Sequence, residues 1–207
     1  NIIVSAPYFA EYEAYIGNHG GEVNRVQGGE KFNLSVENIE KAINEKTQGV
    51  IINSPNNPSG RVYSEDTIKN LASMLERKSR ERGRAIYLLS DEPYKKIVYD
   101  GIKVPSVIKN YSHSIIMTSY SKDLSIPGER IGWLAVNPAA EDLHNLLGGI
   151  IMCNRILGYV NAPAIMQKVV ADLQGRSVDM GFYKTKRDRL DRKSTRLNSS
   201  TEYDLVC

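Results

Sequence analysis

Apolar residues along the chain follow two periods. Short runs of strand length occur at Ile2–Ser5, Glu22–Gln27, Gly49–Asn53, Ala85–Ser90, Ser114–Thr118 and Ile131–Val136. Between them, apolar positions recur at helical spacing over Tyr8–Asn18, Ser35–Glu45, Ser64–Arg82, Ala139–Leu147 and Ala162–Gln174. Ser35 followed by Glu37, and Ser64 followed by Glu65 and Asp66, supply a capping hydroxyl and then acids in the first turn. Gly83 stops the longest helix. Phe182–Arg189 opens a further helix, whose Lys and Arg residues read as a solvated face. Alternation of this kind predicts an α/β fold, a three-layer α/β/α arrangement around a mainly parallel sheet. Ligands in such sheets bind at the carboxyl ends of the strands. The informative residues should therefore follow strands directly.

Composition narrows the picture only a little. The chain has 207 residues, 41% hydrophobic and 25% charged, with a formal net charge of +3. That is ordinary for a globular protein and gives no pointer to nucleic acid or to a membrane surface. No apolar run approaches membrane-spanning length and no secretory signal is visible. Cys153 and Cys207 are far apart, which predicts a reduced compartment, the cytoplasm. His19, His113 and His144 are scattered without metal-ligand spacing, and there is no Gly-rich dinucleotide fingerprint.

Four stretches after predicted strands carry candidate chemistry. In Asn53-Ser-Pro-Asn-Asn-Pro-Ser-Gly60, two prolines and a glycine define a rigid turn that would hold Asn57 as an amide donor. In Ser90-Asp-Glu-Pro-Tyr94, Asp91 would sit partly buried at the mouth of the sheet, where a carboxylate calls for a cationic partner. In Ser119-Tyr-Ser-Lys122, a lysine stands at the end of a buried strand among small hydroxyl residues. Partial burial there would favour loss of its proton, which imine chemistry requires. In Pro127-Gly-Glu-Arg130, the planar fork of Arg130 suits a phosphate, and Gly128 allows close backbone approach. Taken together, a lysine, an acid, amide and hydroxyl donors and a cation match the needs of pyridoxal 5'-phosphate. Asp91, paired with the ring nitrogen, would keep it protonated.

Asn-Asn-Pro-Ser-Gly, Asp-Glu-Pro-Tyr and Ser-Tyr-Ser-Lys…Pro-Gly-Glu-Arg-Ile-Gly resemble the class I/II aminotransferases, the fold-type I pyridoxal phosphate enzymes, over about residues 1–190. The resemblance implies that Lys122 carries the cofactor as an imine and acts as catalytic base, and that Asp91 faces the ring nitrogen. It implies that Asn57 and Tyr94 serve the phenolic oxygen, that Ser119 and Arg130 hold the phosphate, and that Phe9 stacks on the ring. It further implies amino-acid and 2-oxo-acid substrates and a homodimer. A lyase cleaving a carbon–sulfur bond on the same scaffold, and a non-catalytic regulator, are the competing readings.

The expected organisation is a partial cofactor domain over 1–177 and the start of an interdomain helix over 178–190. Asn1-Ile-Ile-Val-Ser5 already reads as a strand, so an N-terminal part is expected to be missing, and the resemblance implies that a C-terminal small domain is missing too. Residues 191–207 differ in character: Asp191-Arg-Lys-Ser-Thr-Arg-Leu-Asn-Ser-Ser200 resembles the translation of a sequencing-library adapter. The native sequence is therefore expected to be cut near Leu190.

Overall fold

The computed structural model describes residues 1–198. Strands β1 (Ile2–Ala6), β2 (Val23–Gln27), β3 (Gly49–Asn53), β4 (Tyr87–Asp91), β5 (Ser114–Ser119) and β6 (Gly132–Val136) form one sheet in the order β2-β1-β3-β4-β5-β6. Every neighbouring pair is parallel except β5 and β6. All six predicted strands are present, with ends moved by at most two residues.

The flanking helices are α1 (Glu11–Gly17), α2 (Val36–Ala42), α3 (Glu65–Arg82), α4 (Tyr120–Asp123), α5 (Leu143–Ile156), α6 (Ala164–Asp172) and α7 (Met180–Asn198). The predicted caps form. Ser35 Oγ accepts the Asn38 N–H at 3.2 Å and Ser64 Oγ the Thr67 N–H at 3.1 Å. Gly83 closes α3 at φ 65°, a conformation costly for any other residue type. Ile39 of α2 and Ile68, Leu71 and Leu75 of α3 pack with Ile3, Val50, Ile52 and Leu88 of the sheet in the main core. Each such buried side chain contributes about 1.5–3 kcal/mol. A second, smaller cluster joins Tyr120 of α4 and Ile131 to Val170 of α6.

Two helices differ from expectation. The sequence places one over Ala139–Leu147, whereas α5 covers Leu143–Ile156. Asp142 takes a left-handed φ of 52° just before it, which separates Ala139 and Ala140 from the helix. Gly148 and Gly149, just past the predicted end, lie inside it. Glycine there costs about 1 kcal/mol relative to alanine but breaks no backbone hydrogen bond. The four-residue α4 carries no periodicity to detect. Its residues read as the end of a strand followed by a loop.

Helix α7 is tied to the loop after β4. Arg187 Nη1 lies 3.0 Å from Asp100 Oδ2, and the guanidinium stands 4.5 Å over the Tyr99 ring. The helix runs past Leu190 to Asn198, and residues 199–207 of the adapter-like segment lie outside the described residues. Among the described residues no helix is long and apolar enough to cross a membrane.

Candidate active site

The parallel arrangement brings the carboxyl ends of β1, β3, β4 and β5 to one edge of the sheet. Asn53 pairs in register with Asp91, Asp91 with Met117, and Ser119 with Gly132. A cavity of about 390 Å³ opens at this edge. Phe9, Asn57, Asp91, Tyr94, Ser119, Lys122 and Arg130, the seven candidates from the sequence, all line it. A cavity of that volume lies in the range of small-molecule sites.

Each side chain owes its place to local chain geometry. Phe9 lies in the turn between β1 and α1, its ring edge-on to Tyr12 at 5.6 Å. Asn57 is fixed through its backbone: its N–H donates to Asn53 Oδ1 at 2.6 Å. Asn56 braces the same turn, accepting the Ser59 N–H and hydroxyl on Oδ1. Tyr94 sits on the turn after β4, which is closed by the Ile97 N–H on the Tyr94 carbonyl. Ser119 is the extended residue before α4 and its hydroxyl does not cap that helix. Arg130 has a left-handed φ of 49° and donates to the Pro127 carbonyl at 2.8 Å. A non-glycine residue in that region costs on the order of 1 kcal/mol or more, and such strain gathers at ligand sites.

One expectation needs correction. Lys122 is exposed, not partly buried. β5 ends three residues before it, and α4 turns its Nζ out over the Tyr94 ring, 5.8 Å from the centroid. Asp91 is half-buried as expected, and within the protein a phenol holds one of its oxygens. The Tyr12 hydroxyl donates to Asp91 Oδ2 at 2.6 Å. Burial pushes the Asp91 carboxyl above its ordinary range, and the Tyr12 hydrogen bond opposes that. A cation stands beside the next residue: Lys95 Nζ lies 2.6 Å from Oε2 of the buried Glu92, and Ser90 Oγ donates to Oε1. Successive residues at a strand end face opposite sides, so only Asp91 reaches the cavity.

Tyr12 and Asn53 were not singled out from the sequence. The signal for Tyr12 is its place one helical turn after Phe9 on the buried face of α1, since a buried phenol needs a partner. Burial also pushes the Tyr12 hydroxyl far above its usual range, which keeps it a donor. Asn53, itself buried, donates from Nδ2 to the Asp91 carbonyl at 2.8 Å and so couples the Asn57 turn to β4.

Neither Lys122 nor Arg130 has a carboxylate within salt-bridge distance among the described residues. The cavity thus combines two such cations, one half-buried carboxylate, a serine hydroxyl, a phenol, an amide and an aromatic ring. This donor set fits a flat, anionic, carbonyl-bearing heterocycle such as pyridoxal phosphate.

The family model described as aminotransferase class I and II matches residues 1–206. A probable aspartate aminotransferase from Methanocaldococcus jannaschii is 32% identical over 150 residues, covering 72% of this chain and 38% of that protein. An aromatic-amino-acid aminotransferase from Thermococcus litoralis is 32% identical over 139 residues, covering 65% and 34%. Among solved structures, an amino transferase from Eubacterium rectale superposes with a TM-score of 0.91 at 47% identity, covering 94% of this chain and 49% of its own. The chain therefore spans half or less of the length of these relatives.

Proposed function

The chain belongs to the class I and II aminotransferases, a pyridoxal phosphate-dependent family, and from that premise we propose that the whole protein moves an amino group from an L-amino acid to a 2-oxo acid. The observation that carries the reading is the convergence of all seven candidate residues on one cavity at the carboxyl edge of the sheet.

In this reading Lys122 would bond the cofactor carbonyl, and Asp91 would accept a hydrogen bond from the protonated ring nitrogen. Tyr94 and Asn57 donate to the phenolic oxygen. Ser119 and the Arg130 guanidinium hold the phosphate, and the Phe9 ring covers one face. The bound cofactor supplies the electron sink for a carbanion at the substrate α-carbon. Lys122 Nζ would serve as the base that takes the substrate α-proton. Tyr12 holds Asp91 Oδ2, which leaves the other carboxylate oxygen for the ring. The names of the relatives support an amino-acid donor, and the site residues leave its side chain open. A homodimer is the assembly we propose, since Ile151, Met152 and Ile156 of α5 present a broad exposed apolar surface. The proposed compartment is the cytoplasm.

Adding pyridoxal phosphate to the protein should raise a visible imine band that Lys122→Ala abolishes. Supplying the whole protein with an amino acid should then yield a new amino acid only when a 2-oxo acid is present. Release of pyruvate and ammonia without an acceptor would overturn transamination in favour of elimination.

A further inference from the structure

Helix α4 has four residues, too few to hold its own orientation. Yet it carries Lys122, and the direction of the Lys122 side chain depends on how α4 is rotated about its axis. Three contacts on its back fix that rotation, and a fourth anchors the lysine that makes one of them. Asp123, one residue after the lysine and so turned to another side of the helix, is buried, and its Oδ2 lies 2.9 Å from Lys96 Nζ. The same ammonium donates to the Arg176 carbonyl at 3.1 Å. The Asp123 carbonyl accepts the Val178 N–H at 2.7 Å. The Tyr120 hydroxyl accepts from Gln174 Nε2 at 2.8 Å.

Asp123 Oδ1 is buried without a hydrogen-bond partner among the described residues, so the charge of this carboxylate is answered by Lys96 alone. A buried carboxylate with a single cation is sensitive to loss of that cation. The cavity lined by Lys122 lies on one side of α4. On the other side is a second cavity of about 130 Å³, lined by Lys96, Asp123, Tyr120 and Gln174 among others. Between the two cavities, α4 is held by the packing of Tyr120 in the second cluster and by these ties.

We propose that the Lys96–Asp123 ion pair is a positioning clamp for Lys122, joining α4 to the turn after β4 and to the 174–178 segment that leads into α7. The clamp rests on the reading of Lys122 as the cofactor-bonding lysine. Through that segment, any displacement of α7 reaches the reacting amine without passing through the sheet.

The test uses the protein expressed from the longest open reading frame containing this sequence, loaded with pyridoxal phosphate. Asp123→Asn and Lys96→Met should lower kcat by up to about 100-fold while KM changes little, as misplacement of a reacting group does. Both should also move the pH midpoint at which the visible imine band titrates, and Lys96→Arg should restore wild-type values. Unchanged kcat and band midpoint in both variants, even with a lowered melting temperature, would reduce the ion pair to a structural brace and overturn the clamp. Should both variants fail to fold, Lys96→Gln at the exposed end of the pair removes the charge and keeps a donor, and a wild-type band and rate there overturn the clamp equally. A wild-type protein with no imine band would instead refute the assignment of Lys122 itself.

Discussion

Asp91 shows how a site residue is set by its neighbours. Burial raises its pKa and the Tyr12 hydrogen bond lowers it. Tyr12→Phe removes that lowering contribution. With burial left unopposed, the Asp91 pKa should climb. Nuclear magnetic resonance titration of carbon-labelled aspartate would follow it, and an unmoved midpoint would deny Tyr12 its role. The candidates Asn57, Asp91, Tyr94, Lys122 and Arg130 were legible because each follows a strand in a short motif of restricted chemistry. Tyr12 and Asn53 were not, because their significance lies in a partner far along the chain, and only the fold supplies the register that pairs them. The exposure of Lys122 was illegible for a related reason. It depends on the turn of α4, whose four residues leave no periodic trace.

At the scale of elements, the β5–β6 pair sets the spacing at the site. A Cβ on Gly132 would strike the Thr118 carbonyl and press on Ser119. Gly132→Ala should therefore push β6 from β5 beside a phosphate-binding candidate. Cofactor affinity should weaken more than overall stability, as measured by cofactor titration alongside thermal unfolding. A second tie joins α1 to β2: Arg25 Nη2 lies 2.5 Å from Glu13 Oε2, and the Tyr8 hydroxyl donates to Glu13. These bonds hold the Glu13 carboxyl at about 2, below its ordinary 4.5. A depressed carboxylate contributes stability that is complete above about 4.5 and is lost as the pH falls toward about 2. The pair is exposed, so the effect should be small and should shrink with salt. Denaturant midpoints measured across that window should fall less steeply in Glu13→Gln than in the parent. Strands were read well from sequence because buried parallel strands form short apolar blocks. Helix ends were read less well: Asp142 and the Gly148-Gly149 pair shift α5 in ways that local propensity does not dictate.

Over the whole molecule, one face of the sheet has its core under α2 and α3, while α5 has no buried residue and β6 shows Trp133 and Leu134 at the sheet edge. An apolar helix of that kind gives no sequence cue to what covers it, because hydrophobic pattern reports the need for burial and not its source. The α/β class itself was legible, since alternation of strand and helix leaves few other topologies. The sheet order has a kinetic consequence as well. The cavity draws on residues from Phe9 to Arg130, delivered by successive crossovers, so no local hairpin or helix pair can form it early. Contacts of such sequence separation are made late and slowly. During refolding of the whole protein with pyridoxal phosphate present, the visible band should appear well after helical circular dichroism has recovered. Cofactor capture would thus time the last step of assembly, and a band rising together with the dichroism would mean that the sheet edge closes far sooner than its chain order implies.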